Sequence, residues 1–270
     1  MNSVELRSAL RAGRRVYGTL IVSPSPRWLD TAARIGLDFV FIDTEHVAID
    51  RTQLAWMCQG YRAIGLPPIV RIPSPDPYQA GMVLDGGAAG VIAPYVETVA
   101  QAQALRGATR LRPIKGARLA ATLAGEAALE PELQAYMNAR NEGSLFIINI
   151  ESTPAIERLD ELLAVPDLDA VLIGPHDLSC SLGIPERYDD PRFEATVLTI
   201  IRRARAAGVA AGIHWWGSFE RFGPWMEAGL NFIICSADIT AMQVKLGADI
   251  GALRRRTGDA DKAGGKMDAI

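Results

Sequence analysis

The chain has 270 residues, 49% hydrophobic and 22% charged, with a formal net charge of −3. That length suits one α/β barrel or two smaller domains, and the absence of a basic bias disfavours nucleic acid or an anionic membrane as partner. No apolar run approaches the roughly 20 residues of a spanning helix, and the first residues, MNSVELRSALRAGRR, lack the apolar centre of a signal peptide, so a cytoplasmic protein is expected.

Eight short apolar runs with β-strand character can be marked in order: Val16–Val22, Asp38–Asp43, Ile69–Ile72, Gly90–Pro94, Leu145–Glu151, Ala170–Gly174, Val209–His214 and Asn231–Ser236. Helix-like stretches separate them. Alternation of this kind predicts a parallel sheet covered by helices, and eight units in one chain predict a closed (β/α)8 TIM barrel of α/β class. A doubly wound sheet binding a dinucleotide is disfavoured, because no GxGxxG follows the first run. Over residues 51–64, Leu54, Met57, Cys58, Tyr61 and Ile64 recur at three- and four-residue steps, the mark of one buried helical face. Asp190 before Pro191 forms an N-cap and first-turn proline, and the stripe Phe193, Val197, Ile200, Ile201 and Ala204 runs on until Gly208. Thr153–Pro154 opens another helix, with Ile156, Leu159 and Leu163 inward.

Residues 105–140 fit the alternation least well. The basic, small-residue stretch RGATRLRPIKGARLAATLAG is expected to be a long loop over one barrel rim. The barrel domain is placed at 1–256, and the polar, glycine-containing tail 257–270 is expected to be disordered. Cys58, Cys180 and Cys235 are widely spaced and form no CxxC pair, which predicts free thiols rather than a disulfide or zinc framework.

In a (β/α)8 barrel the chemistry sits where the strands end. Reading only those ends gives Asp43, Glu45 and His46 after the second run, Arg71 after the third, Asn149 and Glu151 after the fifth, and His176 and Asp177 after the sixth. The seventh ends at His214, and Ser236 and Asp238 follow the eighth. All three histidines of the chain occupy such positions, which a random placement would not give.

Glu151 and Asp177, one strand–helix–strand crossover apart, are two carboxylates suited to a hard divalent cation whose other positions are filled by water and substrate oxygens. The competing reading is that each caps the helix after it. Arg71 offers a planar fork for the carboxylate of a keto acid, or else pairs with a rim carboxylate. His46 is the candidate general base, oriented by Asp43 or Glu45. His176 and His214 are weaker candidates for supporting or substrate contact. No lysine lies at a proposed strand end, so a Schiff-base mechanism is not expected.

The blocks DFVFIDTEH, PPIVRIP, LDGGAAGVIAPYVET, INIESTPAIERLDELLAVPDLDAVLIGPHDLS and AAGIH, in this order from about Arg15 to Leu253, resemble the HpcH/HpaI aldolase family, which includes 4-hydroxy-2-oxoheptanedioate aldolases. The resemblance implies a single-domain barrel of the phosphoenolpyruvate/pyruvate superfamily type. It further implies a class II pyruvate aldolase using Mg2+, Mn2+ or Co2+ to act on a small 2-oxo acid (pyruvate or oxaloacetate) and an aldehyde, assembled as a homohexamer. It places the base at His46 with Asp43 as its partner, the pyruvate-holding arginine at Arg71, and the metal ligands at Glu151 and Asp177. Pro175 and His176 of the GPHDL block fall beside the substrate. A glutamine usual in the family, which touches the donor, is replaced by Asn149, and Asp85 matches an aspartate that reaches a neighbouring subunit's site. Two departures, Gly18-Thr19-Leu20 for a GLW-like block and LRPIKGARLA for a YPPxGxRG-like segment, are expected near the acceptor side, so the aldehyde specificity does not carry over. The competing readings are a citrate-lyase-β or malyl-CoA-lyase-like enzyme handling CoA thioesters, and a non-catalytic binding barrel.

Overall fold

The computed structural model describes residues 1–260. Eight parallel strands close into one barrel in chain order: β1 Val16–Leu20, β2 Phe39–Asp43, β3 Pro68–Arg71, β4 Gly90–Ala93, β5 Leu145–Ile150, β6 Ala170–Ile173, β7 Ala210–Trp215 and β8 Phe232–Ala237. Each expected run therefore coincides with a strand that overruns it by one residue at most, and the (β/α)8 barrel is the architecture found. Among the described residues no helix is long and apolar enough to cross a membrane, and Cys58, Cys180 and Cys235 are free.

Strand side chains alternate between two cores, as the period of two requires. Phe39, Phe41, Ile69, Leu145, Ile147, Leu172, Phe232 and Ile234 fill the barrel interior, closed from below by Leu6 and Leu10 of the helix Ser3–Arg11. Val40, Ile42, Val70, Phe146, Ile148, Val171 and Ile173 face the surrounding helices instead. Asp43, Arg71, Asn149 and His214 share the parity of the interior set, so the sheet itself turns them into the mouth of the barrel. Phe39 and Phe232 stack at 4.9 Å between ring centroids. A Cβ at Gly18 would stand 2.4 Å from the Phe39 ring, and one at Gly212 2.5 Å from that of Phe232. In Gly18-Thr19-Leu20 the glycine thus serves the barrel floor.

The helix Arg51–Ala63 buries Leu54, Met57, Cys58 and Tyr61 as expected, while Ile64 falls on its C-cap and is exposed. Asp190 caps Pro191–Ala206 through the Arg192 N–H at 3.0 Å. The stretch after β5 folds as two short helices, Thr153–Glu157 and Leu159–Leu163.

The expected loop over 106–125 is not found. Arg106–Arg110 end the helix Val99–Arg110, and two more helices follow, Gly116–Leu123 and Pro131–Arg140. Leu119 and Leu123 pack against Gly107, where even a methyl group would come within 3.2 Å of them. Asn141, fully buried, gathers the carbonyls of Arg110 (3.2 Å), Arg112 (2.8 Å) and Met137 (2.9 Å), and Arg110 donates to the Ser144 carbonyl at 2.7 Å, directly before β5. The segment thus returns to the strands' N-terminal ends, and LRPIKGARLA, expected near the acceptor side, does not line the cavity at the mouth of its own barrel. Its helix Gly116–Leu123 fully buries no residue, and the pair Leu119 and Leu123 is too short a stripe to read in the sequence.

At the other end, the helix Asp238–Thr257 runs one residue past the expected domain limit and stops at Gly258, in left-handed conformation (φ +76°). Residues 261–270, most of the tail expected to be disordered, lie outside the described residues.

Candidate active site

The mouth of the barrel holds a cavity of about 340 Å3 lined on one side by His46 and Arg71 and on the other by Asn149, Gly174, Pro175, His176 and Asp177. Phe41, His214 and Trp216 form its remaining wall.

On the β2–β3 wall, Asp43 and Arg71 are register partners across the two strands. Asp43 is fully buried and accepts both edge donors of the guanidinium, Nε at 2.8 Å and Nη2 at 2.6 Å. It also accepts the backbone N–H groups of Glu45 (3.0 Å) and His46 (3.4 Å). Burial alone would raise the Asp43 carboxyl, but the hydrogen bonds and charge of Arg71 and the Glu45 N–H hold it below the ordinary range. The same pairing raises Arg71 against the opposing effect of burial.

Two expectations change here. The Asp43 side chain bonds the His46 backbone N–H and makes no hydrogen bond to the ring, because strand register delivers Arg71 to it first. The ring Nε2 lies 3.7 Å from Glu45 Oε2, which also stands 3.1 Å from Arg71 Nε. Arg71 likewise spends one edge of its fork on Asp43, leaving Nη1 and the second Nη2 hydrogen for a ligand. Its ion pair with a rim carboxylate and its exposure to the cavity hold together, and they are not alternatives.

On the β5–β6 wall, Glu151 is buried and accepts the Tyr95 N–H at 2.8 Å and the Asn149 amide at 2.7 Å. Burial pushes its carboxyl up to about 7; those two bonds act against the rise, and the nearby charges of Asp177 and Glu45 add to it. The capping reading fails for Glu151, since Ser152 caps Thr153–Glu157 through the Ala155 N–H at 3.4 Å. Asp177 lies in the first turn of Pro175–Ser181, whose N-cap Gly174 makes no side-chain bond. A Cβ on Gly174 would meet Glu151 Oε2 at 2.7 Å and Asp177 Oδ2 at 3.7 Å, so the two carboxylates converge over a position that only glycine leaves open.

This pair has the properties of a divalent cation site. Among the described residues Glu151 forms no ion pair, and its neighbours Asp177 and Glu45 carry the same sign. Among the described residues no group of three or more His, Cys, Asp or Glu side chains is placed to hold a metal; two carboxylates leave the other positions of a hard cation to substrate and water.

Asn149 Oδ1 is buried without a partner and faces this region, so one half of its amide supports Glu151 and the other is unused. His176 Nδ1 lies 3.8 Å from Glu186. His214 donates Nε2–H to the Ser236 carbonyl at 3.0 Å, and burial pushes its pKa down to about 4, keeping the ring neutral. Asp85 does not line the cavity; it is exposed at the end of the helix Pro77–Asp85 and pairs with Arg112 at 2.9 Å.

Tyr95 was not among the residues read from the strand ends. It follows β4 with φ +54°, uncommon for a bulky side chain, and its phenol is pushed up to about 12, first by a hydrogen bond with Glu45, then by burial and by the charges of Glu45, Asp177 and Glu151. Its signal was its place directly after the run Gly90–Pro94, an end without an acid, base or cation.

The description HpcH/HpaI aldolase/citrate lyase matches the chain over residues 17–233. The chain belongs to this family. It is 31% identical over 239 residues to a 2-dehydro-3,6-dideoxy-6-sulfogluconate aldolase of Pseudomonas putida, covering 88% of this chain and 92% of that one. It is 34% identical over 206 residues to a 2-keto-3-deoxy-L-rhamnonate aldolase of Escherichia coli K12, covering 76% and 77%. Among solved structures, the citrate synthase SbnG superposes with a TM-score of 0.80 at 30% identity, covering 94% of this chain and 99% of that one. The HpcH/HpaI chain is an enzyme, a carbon–carbon lyase of the aldolase type.

Proposed function

We propose that this enzyme is a divalent-metal-dependent pyruvate aldolase that reversibly cleaves a 4-hydroxy-2-oxo acid to pyruvate and an aldehyde. The observation that carries the reading is the convergence of Glu151 and Asp177 over Gly174, across one cavity from Arg71 and His46. Glu151 and Asp177 would hold the cation, Mg2+, Mn2+ or Co2+, which when bound supplies Lewis-acid polarisation of the 2-oxo acid. Arg71, fixed by Asp43, offers its outer guanidinium donors to the substrate carboxylate and to the charge that develops on the enolate of the pyruvate half. His46 takes the proton of the 4-hydroxyl as the C3–C4 bond breaks, and returns one to the aldehyde oxygen in condensation. Asn149 Oδ1, Pro175 and His176 border the substrate, and the aromatic wall of Phe41 and Trp216 limits water. A cytoplasmic homohexamer, with the exposed Asp85 turned to a neighbouring subunit's cavity, belongs to the same reading.

The test is pyruvate release from a panel of 4-hydroxy-2-oxo acids with Mg2+, Mn2+ or Co2+, with acyl-CoA substrates as the competing arm. Cleavage that disappears in excess chelator and returns with the cation is expected. Full activity in chelator would sink the metal assignment, and turnover of thioesters alone would transfer the site to citrate-lyase-type chemistry.

A further inference from the structure

The geometry points to Glu45, not Asp43, as the positioning residue of His46, and to Nδ1 as the ring nitrogen left for the substrate. The first half rests on geometry alone, whereas its catalytic consequence rests on the aldolase reading above.

Asp43 has no capacity left for the imidazole. Each of its oxygens already accepts two N–H groups, Oδ1 from Arg71 Nε and Glu45 N, Oδ2 from Arg71 Nη2 and His46 N. A carboxylate offers about four acceptor sites, and these are full. Glu45 stands in the opposite condition. Its Oε2 is buried without a hydrogen-bond partner, because the single hydrogen of the nearby Arg71 Nε is directed to Asp43. This oxygen has the charge of Arg71 beside it at 3.1 Å but no hydrogen bond, and a buried acceptor without one calls for a donor.

His46 Nε2, 3.7 Å away, can be that donor. The distance is longer than a hydrogen bond, but the His46 side chain is 43% exposed and free to turn towards Glu45. Catalytic hydrogen bonds are often long until a ligand closes the site. The same carboxylate pushes the Tyr95 phenol up, so the two lie close together. An acceptor-only carboxylate opposite Nε2 selects the Nε2–H tautomer and leaves the Nδ1 lone pair for the 4-hydroxyl proton.

The chain has three histidines, so 15N-histidine labelling of the full-length protein with Mg2+ gives three rings, assignable by replacing His176 and His214 in turn. At alkaline pH the His46 ring is expected as the Nε2–H tautomer in the unmodified protein and as a mixture in Glu45→Gln. An Nδ1–H ring, or a tautomer unmoved by Glu45→Gln, overturns the inference. In the lyase assay Glu45→Gln should lower kcat about 10- to 100-fold with KM kept, the range of one misplaced general base; a loss confined to KM counts against it. Should Glu45→Gln not fold, Glu45→Asp, which withdraws the carboxylate by one methylene, is read by the same two criteria. An unmodified protein that releases no pyruvate refutes the aldolase reading while the tautomer result still decides this one.

Discussion

The two walls of the cavity treat buried charge in opposite ways. On β2–β3 the Asp43 carboxylate is matched by the Arg71 fork at 2.8 and 2.6 Å, and the pair is satisfied before any ligand arrives. On β5–β6 Glu151 receives two neutral donors and faces further negative charge, and burial lifts its pKa to about 7. The first wall is a finished structural element. The second retains negative charge that a cation would neutralise. Charge compensation thus separates residues that build the site from those that wait for a ligand, although all are acidic or basic groups at strand ends.

The largest expected effect breaks the second wall. Glu151→Gln or Asp177→Asn should lower metal-dependent pyruvate release by about a thousandfold or more, as loss of a metal's electrostatic contribution does. In the same proteins, thermal unfolding without added cation should show Glu151→Gln no less stable than the parent, because an uncompensated buried charge is removed. A fall in stability would contradict the contrast between the walls.

Breaking the first wall should do the reverse. Asp43→Ala leaves a buried guanidinium without its partner and should cost about 3–5 kcal/mol in denaturant unfolding. A loss below about 1 kcal/mol would mean that the pair is not the structural element described.

The neutral His214 between the walls gives a pH test. Its folded pKa, about 4, lies below the ordinary value of 6.5, so the unfolded chain binds the proton first as pH falls. Its contribution is therefore fully present above about 6.5, declines as pH drops towards 4, and amounts to at most about 3 kcal/mol. Urea unfolding of the parent and of His214→Gln over that window should converge towards acid pH. Parallel curves would place the titration elsewhere.

Smallest is Arg71→Lys, which keeps the charge and loses the planar fork. It should reduce kcat/KM about 10- to 100-fold, mostly through KM for the 2-oxo acid, since a lysine cannot serve Asp43 and a substrate carboxylate with the same geometry. Unchanged kinetics would remove Arg71 from substrate binding.

Much of the site is legible in the chain because strand periodicity and strand ends are local properties. The eight apolar runs announce the barrel, and the polar residues that end them, Asp43, Arg71, Asn149, Glu151, Asp177 and His214, line its mouth or support the groups that do. Three features were not legible. The helix Gly116–Leu123 fully buries no residue and turns only Leu119 and Leu123 to its neighbour; its alanine- and leucine-rich composition was the remaining signal. Tyr95 acts through a backbone N–H and a turned φ, neither of which a side-chain reading registers. The dual character of Arg71, structural on one edge and open on the other, needs three dimensions to see.

What the amino-acid sequence determined by itself was the inventory: which residues stand at strand ends, with which parity, and hence which could share a cavity. The tertiary structure decided the partners. Asp43 is three residues from His46 in the chain, yet its carboxylate joins Arg71, because parallel register sets β2 beside β3 and a guanidinium fork fits a carboxylate better than a ring on the following loop does. Hydrogen-bond capacity is finite, and once Asp43 was filled the imidazole was left to Glu45. That allocation depends on distances between strands, and no spacing along the chain encodes it.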